Sequence, residues 1–155
     1  MRRFLIAVTA GGACVLVLAA LSVAAPKSTV WTAALSSGKE VPAQVVKDAP
    51  AHGLFKGTLT GNSLKFTLTF AKLTGPATAS HIHLGAAGVS GAPVVYLCST
   101  SPAAPPTPHC TTSPVTGTVT VSATLQQDFK KHLLYVNVHT GKNPMGEIRG
   151  QLAVG

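Results

Sequence analysis

Leu64-Lys65-Phe66-Thr67-Leu68-Thr69-Phe70 alternates apolar and polar side chains without a break. In an extended chain Leu64, Phe66, Leu68 and Phe70 fall on one side and Lys65, Thr67 and Thr69 on the other, the period-two pattern of a half-buried antiparallel strand. Thr60-Gly61-Asn62-Ser63 is a tight-turn signal just before it, joining it to Gly53–Leu59 as a hairpin. Runs of the same kind occur at Val30–Leu35, Ala79–Leu84, Val94–Leu97, Val115–Leu125, Leu133–Thr140 and Glu147–Val154. About eight short strands, broken by Gly, Pro and Asn, predict an all-β domain over residues 30–154, a Greek-key antiparallel β-sandwich or barrel. Leu125-Gln-Gln-Asp-Phe-Lys-Lys131 has the makings of a helical turn, too short for a packing layer, and reads as a connection. Trp31, the single Trp, is expected to anchor the core from the first strand.

The chain has 155 residues, enough for one domain. Charged residues make up 10%, which excludes a charged disordered tail and a coiled coil. Ahead of the domain, Met1-Arg2-Arg3 is a cationic start and Phe4 to Ala25 an uncharged, mostly apolar run, the pattern of a secretory signal peptide. Ser22-Val23-Ala24 offers a small-x-small cleavage signal, so the segment is assigned to residues 1–24. The apolar run is also long enough to span a bilayer, and a retained N-terminal anchor is the alternative. Either way the domain is expected outside the cytoplasm, secreted or attached to the cell surface. Cys14 gives only a weak lipoprotein signal, because Gly11 stands where Leu is usual and apolar residues continue past it.

Removing residues 1–24 leaves 10 Lys/Arg against 4 acids. Lys39, Lys47, Lys56, Lys65 and Lys72 are spaced one to a strand or turn, without a stripe of interleaved aromatics, so nucleic-acid binding is not expected. The spacing suits solubility and the guarding of strand edges, with contact to an anionic wall polymer or membrane surface as the alternative. Two cysteines remain, Cys98 and Cys110, and an even pair in an exported chain reads as a disulfide. It closes a loop containing four prolines and stabilises it by about 3 kcal/mol in the chain-entropy account. The spacing is not that of a reactive Cys-x-x-Cys pair.

His81 and His83 flank Ile82, so on a strand both imidazoles leave one face while Ile82 points into the core. Alternate strand positions lie about 6.6 Å apart, and leaning imidazoles bring nitrogens within ~2.0–2.1 Å of one ion. In Tyr135-Val136-Asn137-Val138-His139 the valines are the apolar set, leaving Tyr135, Asn137 and His139 on the opposite face. If the two strands are neighbours, His81, His83 and His139 form a cluster suited to Cu or Zn. The alternative is imidazoles on a solvated face, bonded to backbone and to neighbouring Thr, Asn and Glu without any ion. His52, His109 and His132 are expected in exposed loops or turns, His109 being a distant candidate for a fourth ligand. Glu147, Arg149 and Gln151 alternate with Ile148, Gly150 and Leu152 and share a face. They form either a structural network or a shell that orients the histidines, with Glu147 accepting an imidazole N–H.

Several segments then match together. Glu40-Val41-Pro42, His81-Ile82-His83-Leu84-Gly85-Ala86-Ala87-Gly88, Gly91-Ala92-Pro93-Val94-Val95 and Tyr135-Val136-Asn137-Val138-His139-Thr140, followed by Asn143-Pro144-x-Gly146-Glu147-Ile148-Arg149-Gly150-Gln151, closely resemble the CHRD domain. That family is named for its repeats in the developmental antagonist chordin and is frequent in exported bacterial proteins. The resemblance runs from about Trp31 to Leu152, in the family's order. Its departures are Ala92 inserted in a Gly-Pro turn, Met145 where Gly is usual, and the Pro-rich cysteine loop. It implies a β-sandwich or barrel module without an established catalytic activity, whose context is extracellular protein binding. The His-x-His strand with a later Val-x-Val-His strand is also locally similar to copper/zinc superoxide dismutase, but that pattern needs a bridging His and a zinc loop that this chain lacks.

No nucleophile motif, phosphate-binding Gly loop or matched carboxylate pair is present; Glu40, Asp48, Asp128 and Glu147 are too few and too dispersed for a two-carboxylate hydrolase. The leading expectation is a non-enzymatic secreted or cell-surface module with a binding or structural role, its partner an extracellular protein or a cell-envelope component. The alternative is a Cu or Zn domain using the three histidines, with superoxide dismutase-like redox activity as its extension.

Overall fold

The computed structural model describes residues 25–43, 51–110 and 112–155. The signal or anchor segment assigned to residues 1–24 lies outside the described residues, as do Lys47 and Asp48. Nine strands and one helix follow in order: β1 Ser28–Ser36, β2 His52–Thr60, β3 Ser63–Ala71, β4 Ala77–Leu84, β5 Pro93–Ser99, β6 Val115–Thr120, α1 Ala123–Lys130, β7 Leu134–Thr140, β8 Ile148–Gln151 and β9 Ala153–Val154. The strands make one antiparallel sheet in the order β5-β4-β7-β8-β1-β2-β3-β6, with β9 paired to β1. Its end strands β5 and β6 approach each other, so the sheet is nearly closed into a barrel. The non-consecutive neighbours β3·β6 and β4·β7 are the crossovers of a Greek key.

Local chemistry explains the central hairpin. Thr60 pairs with Ser63, leaving Gly61-Asn62 as a two-residue turn, and Gly61 takes the positive φ of +59° that such a turn requires. Leu64, Phe66 and Leu68 are buried while Lys65, Thr67 and Thr69 are exposed, as their alternation predicts; Phe70, at the strand's end, is only partly buried. Phe66 stacks on Phe55 with ring centres 6.0 Å apart. Gly57 and Gly117 face Phe66 from the strands on either side, where an added Cβ would come within 2.9 Å of Phe55 and 2.8 Å of Phe66 respectively. Two large rings thus fit the barrel because small residues flank them.

Five details differ from the sequence reading. The strand expected to run to Leu125 stops at Thr120, and a two-turn helix starts at Ala123. Ser122 caps it, its Oγ accepting from Leu125 N–H at 3.1 Å. Leu125 and Phe129, one turn apart, are buried, and Phe129 meets Trp31 at 5.1 Å, so α1 contributes to the core rather than merely connecting strands. The expected Glu147–Val154 strand divides at Leu152, which turns inward while β8 pairs with β7 and β9 pairs with β1. His52 opens β2 instead of sitting in a loop. Lys56 and Lys65 lie on β2 and β3, inside the sheet order, so their outward ammoniums serve solubility and guard no edge. Trp31 is a core residue, and Cys98 and Cys110 form a buried disulfide, as expected. Among the described residues no helix is long and apolar enough to cross a membrane.

Phe66→Ala is expected to lower the unfolding free energy by ~3–5 kcal/mol. Leu54→Ala, at an exposed position of the neighbouring strand, is expected to change it by less than ~0.5 kcal/mol. Denaturant titration of both variants measures the contrast.

Candidate functional site

The face of β4, β7 and β8 turned away from the apolar core carries the polar side chains singled out above. In the register His81 lies opposite Asn137 and His83 opposite Tyr135, while Asn137 is opposite Arg149 on the far side of β7. β4 and β7 are neighbours, which brings His139 to the pair on β4. The ring nitrogens available as ligands on His81, His83 and His139 all lie within 4.8 Å of one another. His52, His109 and His132 do not belong to the cluster, and His109 supplies no fourth ligand.

Hydrogen bonds fix the ring states. His83 Nδ1–H donates to Gly91 O at 2.8 Å and His139 Nδ1–H to Pro144 O at 3.0 Å, so both present the Nε2 lone pair. His81 Nδ1–H lies 3.0 Å from His139 Nε2 and donates to it. Burial holds His81 down at about 4, helped by the neighbouring His139 and His83. Burial likewise lowers His83 and His139 against hydrogen bonds that favour their charged forms. The three rings are therefore neutral at neutral pH, the state in which imidazole binds a metal. The Asn137 side chain lies beside the His83 ring and favours its charged form, and His83 Nε2 and Asn137 Oδ1 accept no other hydrogen bond among the described residues.

Aromatic side chains, Tyr96 and Tyr135, frame the cluster. Tyr96 meets His81 edge-on at 4.6 Å, and Tyr135 stacks on His83 at 4.8 Å. On its other contact Tyr135 carries the Arg149 guanidinium 3.3 Å from the ring centre. Gly91 anchors this stack: Tyr135 Oη accepts from Gly91 N–H at 3.2 Å. No side chain fits there, since a Cβ on Gly91 would sit 1.6 Å from Leu84 O.

The face is not solvated, contrary to the alternation-based expectation. Tyr135, Asn137, His139, Glu147 and Arg149 are all buried. Alternation says which side a residue takes and nothing about what covers it; here the 85–92 loop meets Tyr135 and Arg149, and the segments at Thr74 and Asn143–Pro144 meet Glu147 and His139. Arg149 Nη2 donates to Ala86 O and Val89 O, and Gln151 Nε2 to Gly85 O. Arg149 and Glu147 do not pair with each other; each belongs to a structural network with other segments, and Glu147 accepts from no imidazole. Its carboxylate accepts instead from Thr74 N–H and Thr74 Oγ1–H at 2.6 Å each, from Thr140 Oγ1–H at 2.6 Å and from Asn143 Nδ2–H at 2.9 Å. Burial alone raises a carboxyl, but these donors outweigh it and hold Glu147 below its ordinary value.

Sequence reasoning missed Glu40 as a member of this region, although Glu40-Val41-Pro42 was legible as a motif. Glu40 is 7% exposed, and burial raises its carboxyl to about 7 against the lowering effects of Arg149 and the Val41 N–H. It packs against Gly146, where an added Cβ would lie 2.6 Å from Oε1. Tyr96 and Thr74 were missed as well, since nothing in their local pattern marks a partner on a distant strand.

The structure is a nearly closed antiparallel barrel with three neighbouring imidazoles on a covered polar face, the frame of a binding or structural module. The family profile described as CHRD domain matches residues 31–152, and the chain belongs to the CHRD domain family. No curated protein and no solved structure matches the sequence.

The raised value at Glu40 fixes the sign of one pH effect. The folded chain retains a proton that the unfolded chain releases above 4.5, so the associated stability is present below that pH and lost as pH rises through about 7. Relative to Glu40→Gln, the wild type is expected to lose roughly 3 kcal/mol at most across this window. Parallel urea denaturation of the two proteins at a series of pH values measures the difference, in which the histidine titrations cancel.

Proposed function

We propose that the domain is an extracytoplasmic module that binds one Cu or Zn ion through His81, His83 and His139, with Asn137 Oδ1 as a neighbouring oxygen donor. The observation that carries this reading is the convergence of three neutral imidazoles whose ligand nitrogens lie within 4.8 Å of one another. A cation placed among them meets a lone pair from each ring. Three neutral imidazoles with a carbonyl oxygen suit Cu²⁺ or Zn²⁺ and not Mg²⁺ or Ca²⁺. His81 joins the set by moving its proton from Nδ1 to Nε2, which also releases His139 Nε2 from their mutual hydrogen bond. Gly91 O and Pro144 O act as the outer acceptors that orient the other two rings.

Calorimetric titration of metal-stripped protein with Cu²⁺ and Zn²⁺ is expected to show one site, with a Tm that rises with metal concentration. The triple variant H81A/H83A/H139A is expected to stay folded and to lose both effects. A folded wild type that binds neither ion overturns the metal reading and favours a module whose partner is an extracellular protein or cell-envelope component. A superoxide assay on copper-loaded protein tests the redox extension, and a rate equal to that of buffer excludes it.

The buried Cys98–Cys110 disulfide supports an oxidising compartment and hence export. Cleavage after Ala24 is expected to give a secreted protein beginning at Ala25; intact mass of the exported chain distinguishes this from a retained anchor.

A further inference from the structure

A cavity of about 550 Å³ opens beside Trp31 and shares no residue with the histidine cluster. Its lining includes Trp31, Leu59 and Val154 together with Lys27, Lys130 and His132. His132 ends α1 in the left-handed conformation (φ 56°) usual after a helix, its N–H donating to Phe129 O at 3.0 Å and Leu133 N–H to Asp128 O at 3.1 Å, and its ring stands edge-on to Trp31 at 6.0 Å. Two features set the cavity apart from an ordinary surface hollow. First, apolar side chains and two lysines line it together, with no acidic side chain among the described lining residues. Second, the Trp31 indole N–H is buried with no acceptor among the described residues, whereas a buried indole N–H normally has one.

We infer that this cavity binds an amphiphilic anion, a carboxylate or phosphate head on an apolar body. The head lies beside Lys27 and Lys130, and the body lies on Leu59 and Val154, reaching the edge of the Trp31 ring. The volume is that of a small-ligand site, and the mouth of a β-barrel is a usual place for one. Charge complementarity sets the sign of the ligand, since neither lysine faces an acid within the cavity. The apolar walls set its body, because a free inorganic anion leaves them in water.

The chain's single Trp makes the site its own reporter. Titration with decanoate below its micellar range is expected to shift Trp31 emission saturably, while acetate and inorganic phosphate, which carry the charge without the chain, are expected to leave it unchanged. Decanol, which carries the chain without the charge, is expected to bind at least tenfold more weakly. Lys27→Gln/Lys130→Gln, two changes at exposed positions, is expected to weaken decanoate about tenfold, equivalent to ~1.4 kcal/mol, with an unchanged melting curve. Salt at 0.5 M is expected to weaken it in the wild type only, by screening. Equal binding of decanol and decanoate, equal binding of acetate or phosphate, or wild-type affinity in the double variant overturns the proposal. So does the absence of any emission change in a chain that begins at Ala25.

Discussion

A fully buried carboxylate, Glu147, ties together the segments that carry the polar face. It gathers donors from Thr74 beyond the end of β3, from Thr140 at the end of β7 and from Asn143 in the loop that follows. Its own N–H bonds to Val138 O at 2.8 Å, so the residue is locked to β7 by its backbone while its side chain holds the loop. That loop supplies Pro144 O, the acceptor that decides which nitrogen of His139 is free. Removing the carboxylate would leave several buried donors unanswered at once, the costly way to break a polar network. The chemistry available at the histidines is in this sense set by a residue that touches none of them.

The same face illustrates how a sheet can be buried on both sides without two apolar layers. β7 is buried along its whole length, with valines inward and Tyr135, Asn137 and His139 outward. Covering that outer layer desolvates each polar group, and most find specific partners: backbone carbonyls for Arg149, Gly91 for His83, Tyr135 for the guanidinium above it. Burial drives the imidazoles neutral, so the protein avoids three adjacent positive charges beside Arg149. Glu40 follows the same logic from the acidic side, drifting toward neutrality under burial although a cation stands near it.

Much of this was legible in the chain. Strict alternation from Leu64 to Phe70 and the Gly61-Asn62 turn identify the hairpin, because a two-residue turn and a period of two leave little freedom in register. Alternation also assigns His81, His83 and His139 to faces correctly, although strand adjacency was needed to bring them together. The helical turn read at Leu125–Lys131 is present, but its start at Ala123 and its place in the core escaped because Val115 to Leu125 continues an apolar run; Val121, Leu125 and Phe129 are spaced by four, and Ser122 is the cap that marks the change. The partners of Glu147 escaped for a different reason. Thr74 is 73 residues away in sequence, and a single alternating strand contains no information about which loop folds over it.

The Cys98–Cys110 bridge joins β5, one end of the sheet order, to the approach into β6, the other end. It lies across the seam where the barrel fails to close by hydrogen bonding alone, and both sulfurs are buried there. The covalent link therefore acts as a latch on two strand edges that have no ladder partner between them, and it keeps these edges facing each other instead of other chains. An oxidising environment is then more than a setting for this protein: it is the condition under which the sheet has a closed outline.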